Sequence, residues 1–309
     1  MGVYQIGEVI KRTRESLSIT QEELSSGICS VRTLSRIETG KNTPNRTTFE
    51  ALMEKMGKEG KRYLPFIRSN DIENYIRREE IEQLIHIHNY KQAEPKLLEL
   101  KRNLNQEEPV NRQYILRIQA LIDKNLNRIN IIEERHQLAE ALRCTIVDYK
   151  EGTIPNSFFS RQEILILCNI AGSYYEENNF QKSVELLRDL QNYFENVSID
   201  IKERSKSERL VLSNLGQALW HYGEKEESLK VIEKAIPLAI MGDNAGSLST
   251  LLYDLAYGER ELGKNEVCCK ERLLEAYYVA EGCQHIELIK YIKEYAQRQY
   301  GVSFLKKLL

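Results

Sequence analysis

Hydrophobic positions recur along the chain at three- and four-residue spacing, with polar residues between them, and β-branched alternation is absent over useful lengths. Near the start, Ile6, Val9, Ile10, Thr13 and Leu17 share one helical face. A second helix opens at Thr20-Gln21-Glu22-Glu23. This is a capping box, in which the Thr20 hydroxyl accepts from the Glu23 amide while the Glu23 carboxylate reaches back. Leu24 and Ile28 face inward, and Gly27 permits the tight turn that follows. A third helix starts after Ser30, a good N-cap, buries Leu34 and Ile37, and stops at Gly40, where φ turns positive. Thr47-Thr48-Phe49-Glu50 repeats the start signal for a fourth helix, which buries Phe49, Leu52 and Met56 and stops at Gly57. Two short helices about four residues apart, the second capped by Ser, follow the helix-turn-helix plan. In that plan the capped end of the second helix enters a DNA major groove, and backbone amides at helix starts meet phosphates.

From Asp71 onward a second helical pattern begins, with a softer break at Gly152–Pro155. Small residues recur there at twelve-residue spacing: Ala171 with Ser183, Gly216 with Ser228, Ala256 with Cys268 and, less clearly, Ile81 with Ala93. The texture around them repeats, as Asn169-Ile170-Ala171, Asn214-Leu215-Gly216 and Asp254-Leu255-Ala256. Helix-to-helix turns fall at Asn178-Asn179, Gly223-Glu224 and Gly263-Lys264. This pattern resembles tetratricopeptide repeats, in about five divergent copies over residues 72–300. The fold class expected is therefore all-α: an N-terminal helix-turn-helix domain at 1–65, then an α-solenoid at 66–309 closed by a capping helix within His285–Leu309.

Composition adds little to this and excludes more. The chain has 309 residues, of which 41% are hydrophobic and 29% charged, the balance of an ordinary globular protein. The N-terminus does not read as a secretory signal and there is no long apolar run, so a cytoplasmic protein without membrane contact is expected. The net charge of −2 hides an asymmetry. Residues 1–65 hold 11 Lys/Arg against 8 Asp/Glu, and the remainder 33 against 38, which suits a polyanion-binding head on an acidic body. Six cysteines show no C-x-x-C or zinc spacing, and His86 and His88 lie two apart, where a helix does not bring them together. No nucleophile–base pair, phosphate loop or metal set stands out, so no enzyme activity, metal or cofactor is expected.

Ile10-Lys11-Arg12-Thr13-Arg14, Leu17 through Leu24 and Leu34-Ser35-Arg36-Ile37-Glu38-Thr39-Gly40, followed by Lys41-Asn42 and Pro44, resemble the xenobiotic-response-element, or lambda-repressor-like, helix-turn-helix family over residues 4–57. The resemblance implies that Arg14 pairs with Glu38, tying the first helix to the third. Gln21 falls where the family contacts a phosphate, and Val31, Arg32 and Arg36 fall at base-facing positions. Ser30, Lys41 and Asn42 fall at phosphate-facing ones. The plain alternative for Arg32, Arg36, Lys41 and Asn42 is a solvated surface. The turn Leu24–Ser30 is one residue shorter than the commonest family form and looks like the PlcR and Rgg branch. With the repeats, the whole chain resembles the peptide-pheromone regulators of the RRNPP family.

That resemblance implies a homodimer built through the repeats, a pseudo-palindromic DNA operator and a short signalling peptide. Two positions before each small packing residue, a side chain points into the concave groove of such repeats, here Asn169, Asn214 and Asp254. Asn there can bond both N–H and C=O of an extended peptide. Tyr175, Gln217, Trp220, Tyr253 and Tyr257 lie nearby, which suits a short apolar peptide. Alternatively Asn169 and Asn214 cap neighbouring helices, or the repeats dock a protein partner such as an antirepressor.

Overall fold

The computed structural model describes residues 6–58, 69–197, 201–242 and 244–301. The expected domain boundary at 65/66, residues 4–5 of the expected helix-turn-helix resemblance and the last eight residues of the expected capping segment lie outside the described residues. The described residues form fifteen α-helices and no strand. They fall into two compact units, Met1–Lys182 with Val197–Glu203, and Ser183–Asn196 with Arg204–Leu309.

The first unit begins with four short helices: α1 (Ile6–Ser16), α2 (Gln21–Ser25), α3 (Val31–Glu38) and α4 (Arg46–Lys55). Ile10, Leu24, Leu34, Ile37, Phe49, Leu52, Met53 and Met56 form their common core. The starts of α2 and α3 are the ones the sequence predicts. Thr20 accepts from Glu23 N at 3.1 Å and Glu23 answers at 2.7 Å, while Ser30 Oγ accepts from Thr33 N at 3.0 Å. Gly27, Gly40 and Gly57 all take positive φ. Gly7 allows α1 to cross α3 closely, since a Cβ there would lie 1.8 Å from the Ile37 carbonyl oxygen. The expected cap of α4 needs correction. Asn45, two residues before Thr47, caps it by accepting from Thr48 N at 2.7 Å, and Glu50 pairs with Arg46 instead of reaching back.

The unit continues through α5 (Ser69–His86), α6 (Tyr90–Asn103), α7 (Pro109–Asn125), α8 (Ile131–Arg143) and α9 (Arg161–Glu176) into α10 (Phe180–Asn196). Ile81 and Ala93, the weakest of the small-residue pairs, lie fully buried in one cluster with Leu97, Leu100, Tyr114, Ile118 and Ile122. The four-helix head is seated on this body. Val110 and Phe158 pack against its core. Gly27 lies so close to Thr145 that a Cβ there would sit 1.9 Å from the Thr145 carbonyl oxygen. Lys55, buried, donates to the Ser26 carbonyl, and Asn45 donates to both carboxylate oxygens of Glu108 at 3.0 Å.

The second unit takes up α10 and adds α11 (Ile201–Tyr222), α12 (Lys225–Met241), α13 (Ala245–Glu261), α14 (Glu266–Gly282) and α15 (Ile286–Tyr300). Along the chain, α5 to α14 therefore make five helix pairs and α15 follows as a single last helix. The helix-to-helix turns fall where the sequence places them, with positive φ at Asn178, Gly223 and Gly263. Gly216 and Ser228 meet as expected, with Ser228 Oγ donating to the Gly216 carbonyl at 2.7 Å. The third pair needs correction: Cys268 is exposed and Cys269 is the buried residue. The turn between α13 and α14 spans 262–265, whereas that between α11 and α12 spans only 223–224, and the extra length shifts the register. Ile292, Tyr295 and Ala296 of α15 close the core of α13 and α14.

Candidate functional site

Local hydrogen bonding fixes α3 before any ligand is considered. At its C-terminal end, buried Glu38 accepts from Arg14 Nε at 2.7 Å and Nη2 at 2.9 Å, a fork-on-carboxylate pair, while Arg14 Nη1 holds the Ile19 carbonyl at 2.9 Å. Gln21 Nε2 also donates to Glu38, at 2.6 Å. The expected Arg14–Glu38 tie is present, and Gln21 is a third member of it. At the other end, the Ser30 hydroxyl is engaged with Thr33 N and Thr33 Oγ1.

Between these anchors α3 turns Val31, Arg32 and Arg36 outward, with Val31 40% exposed, and Lys41 and Asn42 are exposed just beyond it. Among the described residues, Arg32, Arg36 and Lys41 have no ion-pair partner, whereas Lys11 and Arg12 on α1 are paired with Glu15 and Glu8. The result is an exposed basic face on a rigidly capped short helix. Such a face has no internal salt bridge to break before it can pair with an anion.

In the second unit, α11 and α13 bring Gln217, Trp220, Tyr253, Asp254 and Tyr257 together. Trp220 and Tyr257 lie 5.7 Å apart, Tyr253 and Tyr257 stack at 6.4 Å, and Gln217 bonds the Asp254 carboxyl. Burial pushes the Asp254 carboxyl up to about 7, with the Gln217 bond pulling the other way. Asn214 is half-buried on α11. Two aromatic members escaped the sequence pattern, Tyr291 and Tyr295 of α15, which meet Tyr253 edge-on at 5.4 and 5.7 Å. Gly258 is a further member, since a Cβ there would lie 3.0 Å from the Trp220 ring. Lys225 sits over Trp220 at 4.9 Å. In the first unit, Asn169 is half-buried, its Oδ1 is buried without a hydrogen-bond partner, and Tyr175 packs edge-on against Phe180 at 5.4 Å. Among the described residues no His, Cys, Asp and Glu cluster could hold a metal, and no described helix is long and apolar enough to cross a membrane.

The sequence description of the helix-turn-helix family matches residues 10–61, the segment that contains these caps and the exposed face of α3. Residues 10–61 are a helix-turn-helix domain. No curated protein matches the chain in sequence. Among solved structures, Bacillus thuringiensis PlcR in complex with the peptide PapR7 and DNA is 20% identical, with a TM-score of 0.63, over 94% of this chain and 99% of that one. PlcR in its apo form is 18% identical with a TM-score of 0.59, over 94% and 98%. ComR from S. thermophilus, in complex with DNA and its signalling peptide ComS, is 17% identical with a TM-score of 0.53, over 97% and 99%. The likeness expected from the sequence thus extends over nearly the whole chain at the level of the fold: a helix-turn-helix domain joined to consecutive helical hairpins. Exposed Val31, Arg32 and Arg36 lie on α3, the second of the two helices α2 and α3 that make the helix-turn-helix, at its solvent face.

Proposed function

We propose that this chain is a transcription regulator in which residues 1–65 read DNA and residues 66–309 sense a short signalling peptide and form a homodimer. The observation that carries the DNA half is α3: held at both ends, exposed at Val31, Arg32 and Arg36, and with neither of those two arginines in an ion pair among the described residues. Arg32 and Arg36 each present a fork suited to guanine O6 and N7, and Val31 suits a thymine methyl. Ser30, Lys41 and Asn42 flank them toward the phosphates. Gln21, although bonded to Glu38, stands at the start of α2 beside the same backbone. In a homodimer two such helices address two half-sites, so the operator is pseudo-palindromic.

Support for the sensing half comes from the wall on α11 and α13. Trp220, Tyr253 and Tyr257 offer apolar faces, and Gln217, Asp254 and Asn214 offer hydrogen-bonding groups to an extended backbone. Asn169 and Tyr175 extend the same role to α9. The structural relatives named above include proteins solved with a signalling peptide and DNA. A ligand acts on DNA binding only through a difference in its affinity for two arrangements of the protein.

Native mass spectrometry of the full chain purified from its own host tests the sensing half. The expected spectrum is a dimer carrying a short peptide, absent when Asn214→Ala protein is purified in the same way. A co-purifying protein in place of the peptide would favour a partner-docking role for the repeats.

A further inference from the structure

A second candidate binding site lies in the first unit, lined by residues other than those of the exposed face of α3. A cavity of about 170 Å³ opens between α4, α5, the end of α6 and the start of α7, and Arg46, Glu50, Arg78, Asn105, Glu108 and Asn111 are among its walls. It is smaller than the roughly 300–1,000 Å³ of pockets that take drug-sized molecules, so an occupant is small.

Of the charges in this cavity, Arg46 and Glu50 pair with each other, whereas Arg78 and Glu108 make no direct ion pair among the described residues. Arg78 Nη2 donates to Asn111 Oδ1 at 2.6 Å, and the guanidinium lies over the Tyr114 ring at 4.5 Å. Its Nε is buried and has no hydrogen-bond acceptor, and among the described residues no carboxylate stands within ion-pair distance of it. Desolvation pulls the pKa of this half-buried guanidinium down, against the longer-range attraction of Tyr114, Glu50, Glu82 and Glu108. Glu108 has the complementary deficit. Its oxygens accept only from the neutral amides of Asn45 and Asn111, each at 3.0 Å, and no cation pairs with it among the described residues. Asn111 holds both groups, with its carbonyl facing Arg78 and its amide facing Glu108. A guanidinium and a carboxylate are therefore held one amide apart, attracted to each other at longer range, as Arg78 is also to Glu50 and Glu82, but neither in direct contact with an opposite charge.

We propose that this cavity binds a free amino acid, whose carboxylate meets Arg78 and whose ammonium meets Glu108. A zwitterion supplies a direct partner to each group, its ammonium and carboxylate carried on one carbon. A phosphate would answer Arg78 but be repelled by Glu108, which lines the same space without a direct cationic partner among the described residues. The bound molecule would touch α4 of the head and α5 and α7 of the body at once. It would thereby stabilise the seated head by mass action and make DNA binding responsive to amino-acid supply.

Calorimetric titration of the full chain with single L-amino acids and with inorganic phosphate tests this, with thermal unfolding read in parallel. The expected result is one-to-one binding of one or a few small amino acids, with a raised Tm. Arg78→Gln and Glu108→Gln should each weaken that binding by about tenfold or more. Asn105→Trp, at an exposed loop position, fills the cavity without touching the core and should abolish it, which keeps the test valid if either charge variant folds poorly. Absence of amino-acid binding to the wild-type chain overturns the proposal, as does binding that survives Asn105→Trp. Phosphate binding that strengthens in Glu108→Gln would overturn it in favour of a plain anion site.

Discussion

At the scale of single residues, the most consequential contact is Arg14 with Glu38, two buried charges joined by a pair of hydrogen bonds. Removing one leaves the other buried and uncompensated. Arg14→Ala should therefore cost about 3–5 kcal/mol of stability, read by chemical denaturation of the full chain. This pair was legible in the sequence because the family resemblance fixes both positions. The third member, Gln21, was not, because its bond to Glu38 depends on how α2 packs across α3 and no local pattern records that. Asp254 gives a pH prediction. Its pKa, raised by burial to about 7, means that the folded chain keeps a proton the unfolded chain releases near pH 4. Between those values the folded state binds more protons, so the contribution of this group to stability falls as pH rises through the window. Asp254→Asn removes the buried charge and should stabilise the chain by about 1 kcal/mol at pH 8 and hardly at all at pH 4, read as the difference in denaturation midpoints.

At the scale of elements, the helices whose ends are set by local chemistry were legible, and those set by distant contacts were not. Thr20 and Ser30 cap as the sequence implies because the cap and the amide that donates to it lie three residues apart. The start of α4 differs because the Asn45 amide is also drawn to Glu108, sixty-three residues away, and that anchor outweighs the capping-box pattern at Thr47. The shift from Cys268 to Cys269 has a similar origin. A turn of four residues replaces one of two, and spacing rules that assume a fixed turn fail by one position. Gly27 serves two purposes, a positive φ in the turn and close approach to Thr145. Gly27→Ala should cost about 1–3 kcal/mol through strain and overpacking. Hydrogen exchange should then show weaker protection at the α2–α3 turn and around Thr145, whereas protection unchanged at Thr145 would mean that the head is not held there.

At the scale of the whole molecule, the order of elements was plain from periodicity and glycine punctuation: four short helices, then helix pairs, then a last single helix. The seating of the head on α7 and α9 was not. Its contacts, among them Val110, Phe158, Thr145 and Glu108, come from residues whose own patterns serve their repeats. The aromatic wall was legible on α11 and α13, where the repeat texture marks it, and missed on α15, which lies outside the repeat period. The central claim is that α3 reads DNA sequence through Arg32 and Arg36. Selection from random-sequence duplex DNA by the full chain tests it most directly, with Arg32→Ala and Arg36→Ala run beside the wild type. The account predicts that the wild type enriches an inverted repeat. Each variant should lose about 1–3 kcal/mol on it and relax preference at one symmetric pair of positions, with weak binding to random DNA little changed. Recovery of no inverted repeat, or of the same motif at the same affinity by all three proteins, would contradict it.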